Sequence, residues 1–199
     1  KKRMNRLVQV PSSVGSITII KGCMWSGKSG ALIHEANLIL RQDVGVKIFA
    51  PDMSRRELSE KECLQSHDGV VALCETVYLP VTALADACSA SDLPPVVCID
   101  EAQFFTNLLA TCLDLRRRGV TVIIAGLTLD SNRRPFGELH ALLDYADQTV
   151  ERVTVCHFCK RCNATLSFRT CSDKEVICVG GKGKYVPSCQ LCFDEHYQK

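Results

Sequence analysis

The residues with the clearest chemical potential lie near the N-terminus, in the run Gly22-Cys-Met-Trp-Ser-Gly27-Lys28-Ser29. Two glycines separated by four residues and followed by lysine and serine are typical of a loop whose backbone N–H groups surround phosphate oxygens. Lys28 would contact the β- and γ-phosphates of a nucleotide, and the Ser29 hydroxyl would ligate Mg²⁺. A strand-like run precedes the loop and a helix-like run follows it, which favours a phosphate-binding loop over a chance glycine turn.

A second candidate group is a pair of carboxylates, Asp100 and Glu101, directly after the apolar run Val97-Cys-Ile99. The carboxyl ends of parallel strands are where open α/β sheets bind ligands. We expect Asp100 to hold the water shell of Mg²⁺ and Glu101 to deprotonate a nucleophile that attacks the γ-phosphate. That nucleophile is water in an ATPase and a substrate hydroxyl in a kinase. The alternative for Glu101 is an exposed side chain without a chemical role.

A third group consists of cysteines in the C-terminal part of the chain, where 29 residues separate the pair Cys156-x-x-Cys159 from the pair Cys189-x-x-Cys192. Four thiolates suit tetrahedral Zn²⁺, and a closed set of four leaves no open position for catalysis. The spacing therefore predicts a structural zinc site. Cys162 leaves a second frame open, because Cys159-x-x-Cys162 has the same spacing.

The elements that must position these residues follow from the apolar pattern. Continuous apolar runs that alternate with helix-like runs predict an α/β fold with a parallel sheet and flanking helices. We expect strands at 16–20, 44–50, 95–100 and 120–125, shorter strands at 70–73 and 75–79, and helices at 31–40 and 107–118. The polar stretch 52–69 is expected to be a loop.

The predicted domains divide near residue 150, where the composition changes to Cys, Gly, Lys and short polar runs. We expect a small zinc-ribbon-like second domain after the sheet. The predicted units are a disordered lead-in over 1–15, a nucleotide-binding domain over 16–150, a zinc-binding domain over 151–193 and a tail over 194–199.

Composition excludes several classes of function. The net charge of +2 over 199 residues does not favour a nucleic-acid partner. No apolar run approaches the ~18 residues of a membrane span, and the first residues lack the apolar core of a signal peptide. We therefore expect a cytoplasmic protein. Six of the thirteen cysteines stand singly in apolar runs and are expected to be buried thiols: Cys23, Cys63, Cys74, Cys88, Cys98 and Cys112.

Taken together, the motifs resemble the type II thymidine kinases, which combine a P-loop domain with a zinc-bearing lasso domain. The resemblance covers about residues 16 to 193. Its motifs are Gly22–Ser29, Ser66–Gly69, Ile99–Phe105, Ala125–Leu127, Arg133–Gly137, Lys174–Val176, Gly180–Tyr185 and the two cysteine pairs.

The resemblance implies transfer of the γ-phosphoryl group of ATP to the 5′-hydroxyl of thymidine, and of deoxyuridine as well, with Glu101 as the general base. It also implies a homotetramer and feedback inhibition by dTTP. It assigns the nucleotide and Mg²⁺ to Gly22, Met24, Ser26, Gly27, Lys28, Ser29, Asp52, Asp100 and Gln103. It assigns the nucleoside to Met24, Phe104, Leu127, Ser131, Ser167, Val176, Ile177, Cys178, Val179, Gly180 and Tyr185.

Two departures from the family pattern bear on the site. Ser131 stands where the family has a phenylalanine that lines the substrate pocket, which leaves a gap there. Asp52 belongs to an Asp-x-Arg motif that carries one extra residue here, since the arginine is Arg55. Two other functions stay open: a P-loop ATPase, because Asp100-Glu101-Ala resembles a helicase-type motif, and a catalytically silent domain with an assembly role.

Overall fold

The computed structural model describes residues 14–54, 63–171 and 183–197. Its main body contains six strands: β1 (Ile17–Gly22), β2 (Val46–Pro51), β3 (Glu75–Leu79), β4 (Val96–Ile99), β5 (Thr121–Gly126) and β6 (Gln148–Arg152). They form one sheet in the order β3-β2-β4-β5-β1-β6, and every neighbouring pair is parallel. The predicted α/β class with a parallel sheet is confirmed.

Helices cover both faces of this sheet. They are α1 (Lys28–Leu40), α2 (Leu84–Ser89), α3 (Leu108–Arg117) and α4 (Leu139–Leu142). The apolar side chains of α1 pack with one face of the sheet, and those of α2, α3 and α4 pack with the other. Strands β4 and β5 are buried along their whole length. Burial on both faces explains why their sequences are continuously apolar rather than alternating.

The sheet differs from the sequence prediction at two places. Val70–Leu73 forms no strand, because the only pairing in this run is an isolated bridge between Val71 and Gln65. Strand β6 was not predicted, since Gln148–Arg152 is a largely exposed edge strand with no apolar run to mark it. It pairs with β1 and extends the sheet two residues past the predicted boundary at 150.

The cysteine-rich part is a small lobe of two hairpins and one helix. Strands β7 (Thr154–Val155) and β8 (Asn163–Ala164) pair with each other, and β9 (Leu166–Arg169) pairs with β10 (Tyr185–Ser188). Helix α5 (Gln190–Tyr197) follows, so residues 194–197 of the predicted tail are helical. This helix was not predicted because its sequence has no clear apolar periodicity.

Across the described ranges, every helix is too short or too polar to cross a membrane.

Candidate active site

The phosphate-binding loop joins the end of β1 to the start of α1. Gly22 and Gly27 have φ values of 151° and 77°, which L side chains rarely adopt. A Cβ on Gly22 would collide with the backbone oxygen of Arg152. Helix α1 begins without a side-chain cap, so its first N–H groups are left for an anion. The Ser26 hydroxyl is buried and has no hydrogen-bond partner among the described residues, which also fits a ligand of acceptor oxygens.

Lys28 lies folded inside this loop. Its Nζ donates to the backbone oxygen of Cys23 at 2.9 Å, and the side chain is 8% exposed. Burial lowers the pKa of Lys28, while the Glu101 carboxylate opposes that shift. A buried cation beside free N–H groups is an arrangement that a polyanion such as a triphosphate stabilises.

The Ser29 hydroxyl donates to Oδ1 of Asp100 at 3.1 Å, which links the start of α1 to the end of β4. Asp100 is 4% exposed. Burial, together with the neighbouring Glu101 carboxylate, raises the pKa of Asp100 to about 7. A hydroxyl and a carboxylate at this separation offer the oxygen ligands that Mg²⁺ prefers, so the donor set fits that ion.

Glu101 occupies a left-handed backbone conformation with φ 48°, at the start of a short 3-10 turn, Ala102–Phe104. Its Oε2 accepts a hydrogen bond of 2.6 Å from Nε2 of Gln103. Oε1 of Gln103 in turn accepts the backbone N–H of Leu127 at 2.9 Å. The buried Gln103 amide therefore connects the carboxylate after β4 to the backbone after β5. These bonds help to hold Glu101 in its strained backbone conformation.

Two of the residues assigned to the nucleoside, Met24 and Ser167, join the phosphate loop to the cysteine lobe. The backbone N–H of Met24 donates to Oγ of Ser167 at 3.0 Å. Phe104 and Leu127 are half-buried, and Ser131 is 9% exposed. These residues lie on the phosphate loop, on the turn after β4, in the segment that follows β5 and on β9, in parts of the chain that are far apart in the sequence.

Tyr185 is buried at the start of β10 and accepts a hydrogen bond of 2.7 Å from Nη2 of Arg169. The Arg169 guanidinium also lies over the Tyr185 ring, 5.3 Å from its centroid. This cation–π contact fixes the ring plane.

The other assigned residues are Asp52 and the run 176–180. Asp52 is exposed at the end of β2, where its Oδ1 accepts the N–H of Met53. Val176, Ile177, Cys178, Val179 and Gly180 lie outside the described residues, as does Arg55.

Sequence reasoning missed several residues at this site. The ring of Phe136 packs edge-on against Phe104, with centroids 5.5 Å apart. Arg169 orients Tyr185. Nη2 of Arg152, at the end of β6, lies 3.7 Å from where a Cβ of Gly27 would stand. Phe136 lies within the family motif Arg133–Gly137. That motif is the sequence signal by which Phe136 could have been found.

The sulfur atoms of four cysteines form a cluster in which all lie within 4.8 Å of one another: Cys156, Cys159, Cys189 and Cys192. Cys162 is exposed and outside this set, so the first predicted frame is the one that the fold assembles. Backbone N–H groups of Arg161 and Cys162 lower the pKa of the Cys159 thiol to about 6. Thiols of this number and spacing could hold a metal ion.

A family model described as thymidine kinase matches residues 15–193. The chain belongs to the thymidine kinase family. Membership confirms the predicted resemblance and the enzyme class, because the members of this family are phosphotransferases.

The kinase is similar to curated relatives along most of its length. It is 30% identical over 183 residues to the thymidine kinase of Pseudothermotoga lettingae, a match that covers 91% of this chain and 96% of the relative. It is 35% identical over 180 residues to that of Porphyromonas gingivalis, covering 90% and 85%. A viral relative is also similar: the chain is 28% identical over 184 residues to the thymidine kinase of Amsacta moorei entomopoxvirus, a match that covers 92% of this chain and 100% of the relative.

Among solved structures, the kinase resembles the flagellar accessory protein FlaH from Methanocaldococcus jannaschii. The TM-score is 0.50 at 14% sequence identity, and the match covers 73% of this chain and 74% of that chain. Identity this low shows a shared fold alone.

Proposed function

We propose that this kinase transfers the γ-phosphoryl group of ATP to the 5′-hydroxyl of thymidine. One observation carries the proposal: Glu101 directly follows Asp100, and Asp100 is hydrogen-bonded to Ser29 of the phosphate loop at 3.1 Å. A base, a metal-binding carboxylate and a phosphate cradle therefore meet at the carboxyl end of one parallel sheet, where α/β enzymes bind their ligands.

In this mechanism, the backbone N–H groups of the loop and the Lys28 ammonium hold the β- and γ-phosphates. Ser29 and Asp100 would hold Mg²⁺, which when bound would neutralise charge on the phosphoryl oxygens. Glu101 accepts the proton of the 5′-hydroxyl as that oxygen forms its bond to the γ-phosphorus. The bond from that phosphorus to the bridging oxygen breaks, and thymidine 5′-monophosphate and ADP are released.

Gln103 positions the base in this scheme. Its amide is held by the Leu127 N–H, so its NH₂ group is directed at Oε2 of Glu101. The other carboxylate oxygen of Glu101 is then the one that faces the acceptor. The assignment of Gln103 to nucleotide contact stays a prediction, and the bonds of its amide favour a role through Glu101 instead.

For the cysteine cluster we propose Zn²⁺. Four thiolates suit this ion, and zinc–sulfur bonds of about 2.3 Å require only a small contraction of the sulfur positions. Cys159 and Cys189 already lie with their Sγ atoms 4.0 Å apart. The site would hold the lobe together, because two of its ligands come from the connection between β7 and β8 and two from the end of β10 and the start of α5.

The family resemblance supports four finer proposals. The enzyme also accepts deoxyuridine, assembles as a homotetramer, is inhibited by dTTP and works in the cytoplasm. The described cysteines, which are all free thiols, agree with a reducing compartment.

The decisive experiment is a nucleoside panel with ATP and Mg²⁺, scored by labelled monophosphate. We expect turnover with thymidine and deoxyuridine and little without a nucleoside. Strong ADP release without any acceptor would support an ATPase instead. Absence of all turnover would support a catalytically silent domain.

Glu101→Gln tests the general base. The variant keeps the size of the side chain but cannot accept the proton, so we expect thymidine turnover to fall by about a hundredfold or more. Binding of Mg·ATP should stay within about twofold of the wild type. Turnover within about threefold of the wild type would remove Glu101 from this role.

A further inference from the structure

Three consecutive residues of the phosphate loop are bonded to the cysteine lobe. Sγ of Cys23 donates to the backbone oxygen of Ala164 at 3.4 Å, and the N–H of Met24 donates to Ser167 Oγ at 3.0 Å. Nε1 of Trp25 donates to the backbone oxygen of Tyr185 at 3.0 Å. The three acceptors lie on β8, β9 and β10, so each of the last three lobe strands contacts the loop.

Cys23 also packs into the lobe. Its buried side chain belongs to the same apolar cluster as Cys156, Cys189 and Cys192. The loop that receives phosphates thus rests directly on the metal-binding cysteines. A change in the position of the lobe therefore acts on the backbone of the loop.

Trp25 combines a bond to the lobe with a left-handed backbone conformation. Its backbone has φ 66°, a left-handed conformation that bulky residues rarely adopt. Its indole ring contacts the ring of His67, with centroids 4.4 Å apart. A conformation of this kind persists only where surrounding contacts hold it, and the bond to β10 is one of them.

We propose that Trp25 is a positioning residue that couples the two substrates. With β10 in place, the indole bond holds the phosphate loop in its nucleotide-binding conformation. A nucleoside that orders Tyr185 and β10 thereby raises the affinity of the loop for a nucleotide, and by linkage the nucleotide raises the affinity for the nucleoside by the same factor. This inference rests on the proposed function, because it assigns the nucleoside to the lobe side and the phosphates to the loop.

The test measures the dissociation constant of Mg·ADP by calorimetry with and without saturating thymidine. ADP lacks the γ-phosphate, so direct contact between the two reacting groups does not contribute. For the wild type we expect thymidine to tighten Mg·ADP by about fivefold or more, the lower range of allosteric coupling. In Trp25→Phe, which keeps an aromatic ring but has no N–H, the factor should fall below about twofold.

Tyr145→Phe is the matched control. Tyr145 is exposed and lies just before β6, at the opposite end of the sheet from the loop, so the coupling factor should be that of the wild type. A Trp25→Phe enzyme with the full coupling factor would overturn the inference. A wild type that binds neither ligand would instead overturn the proposed function, and one that binds both without coupling would overturn the inference alone.

A second variant covers the possibility that Trp25→Phe does not fold, which circular dichroism will reveal. Ser167→Ala removes the acceptor of the Met24 N–H and leaves Trp25 intact, so the coupling factor should fall partway. Trp25 is also the one tryptophan of the chain. The fluorescence emission of Trp25 in the wild type should therefore change when thymidine alone is added and when Mg·ADP alone is added. An unchanged emission on binding of either ligand would contradict the coupling.

Discussion

At the residue scale, Asp100 and Glu101 show how adjacent carboxylates acquire different properties. Asp100 directly follows a fully buried strand and is itself buried, so its charge is removed from water. Glu101 turns outward in a left-handed conformation and receives the Gln103 amide. The buried acid is suited to a cation and costs stability without one, whereas the outer acid is held by the amide of Gln103.

Asp100→Asn should therefore stabilise the protein when Mg²⁺ is absent. Folding raises the pKa of Asp100 from 3.8 to about 7. The unfolded chain thus releases this proton at lower pH than the folded one, and the free energy of unfolding falls as pH rises between these values. Asparagine keeps an acceptor for Ser29 without the charge. We expect the variant to be about 2 kcal/mol or more stable than the wild type at about pH 8.

The difference should shrink by more than half towards about pH 5. Urea denaturation in chelator-free buffer measures it without stripping the cysteine cluster. The control is Asp144→Asn, an exposed position that should show no such pH dependence. A variant less stable than the wild type at about pH 8 would contradict the assigned burial cost.

Gln103 variants separate orientation of the base from nucleotide contact. Gln103→Met removes both amide bonds at similar size, and loss of a bond to a charged group is expected to lower kcat by about tenfold or more. KM for ATP should stay within about twofold if Gln103 acts through Glu101. Gln103→Glu keeps an acceptor for the Leu127 N–H but places a second carboxylate against Glu101. It should therefore be no more active than Gln103→Met. A rise in KM for ATP with kcat unchanged would favour nucleotide contact.

At the element scale, the 3-10 turn after β4 is enclosed by two glycines from other elements. A Cβ on Gly126 would lie 2.6 Å from Oε1 of Gln103, and one on Gly137 would collide with the backbone oxygen of Gln103. Side chains at either position would push the turn, and Glu101 with it, away from β5. Close backbone approach is therefore part of how the base is positioned.

Gly137→Ala should lower both stability and activity. Gly137 has φ 58°, so alanine adds backbone strain and also the collision with Gln103. Gly69→Ala is the matched control, because Gly69 has φ 82° with no atom within 4 Å of its added Cβ. We expect both variants to lose about 1 kcal/mol from strain and Gly137→Ala to lose at least ~1 kcal/mol more. Thermal denaturation and thymidine turnover measure the difference, and equal losses would contradict the collision.

At the scale of the whole molecule, the sheet supplies the phosphate site while the lobe supplies Ser167 and Tyr185. The two bodies meet at the phosphate loop, through Cys23, Met24 and Trp25. Cys23 also packs against three of the four clustered cysteines, for which we proposed Zn²⁺. Loss of the metal should therefore affect substrate binding as well as the fold of the lobe.

Metal analysis of purified protein tests this arrangement. We expect close to one zinc per chain in the wild type and in Cys162→Ser, since Cys162 is exposed and outside the cluster. Cys189→Ser should lose most of the zinc, melt at lower temperature and bind Mg·ADP more weakly. Zinc loss in Cys162→Ser with retention in Cys189→Ser would show that the alternative frame holds the metal.

Much of the fold was predictable because its signals are local. A parallel sheet covered on both faces requires continuous apolar strands, and β1, β2, β4 and β5 are such runs. Strand β6 and helix α5 were not predictable, since an exposed edge strand and a short lobe helix carry no strong periodicity. They form because tertiary partners cover one side of each.

The sequence by itself determined the chemical groups of the site and their order: the loop from Gly22 to Ser29, the two carboxylates and the four cysteines. Fixed spacing encodes such groups because a tight loop and a metal knuckle are local structures. Only the tertiary structure decided that Gln103 links Glu101 to Leu127, that Phe136 packs on Phe104 and that Trp25 bonds to Tyr185. These contacts join residues far apart in the chain, and the packing of the whole fold sets their distances.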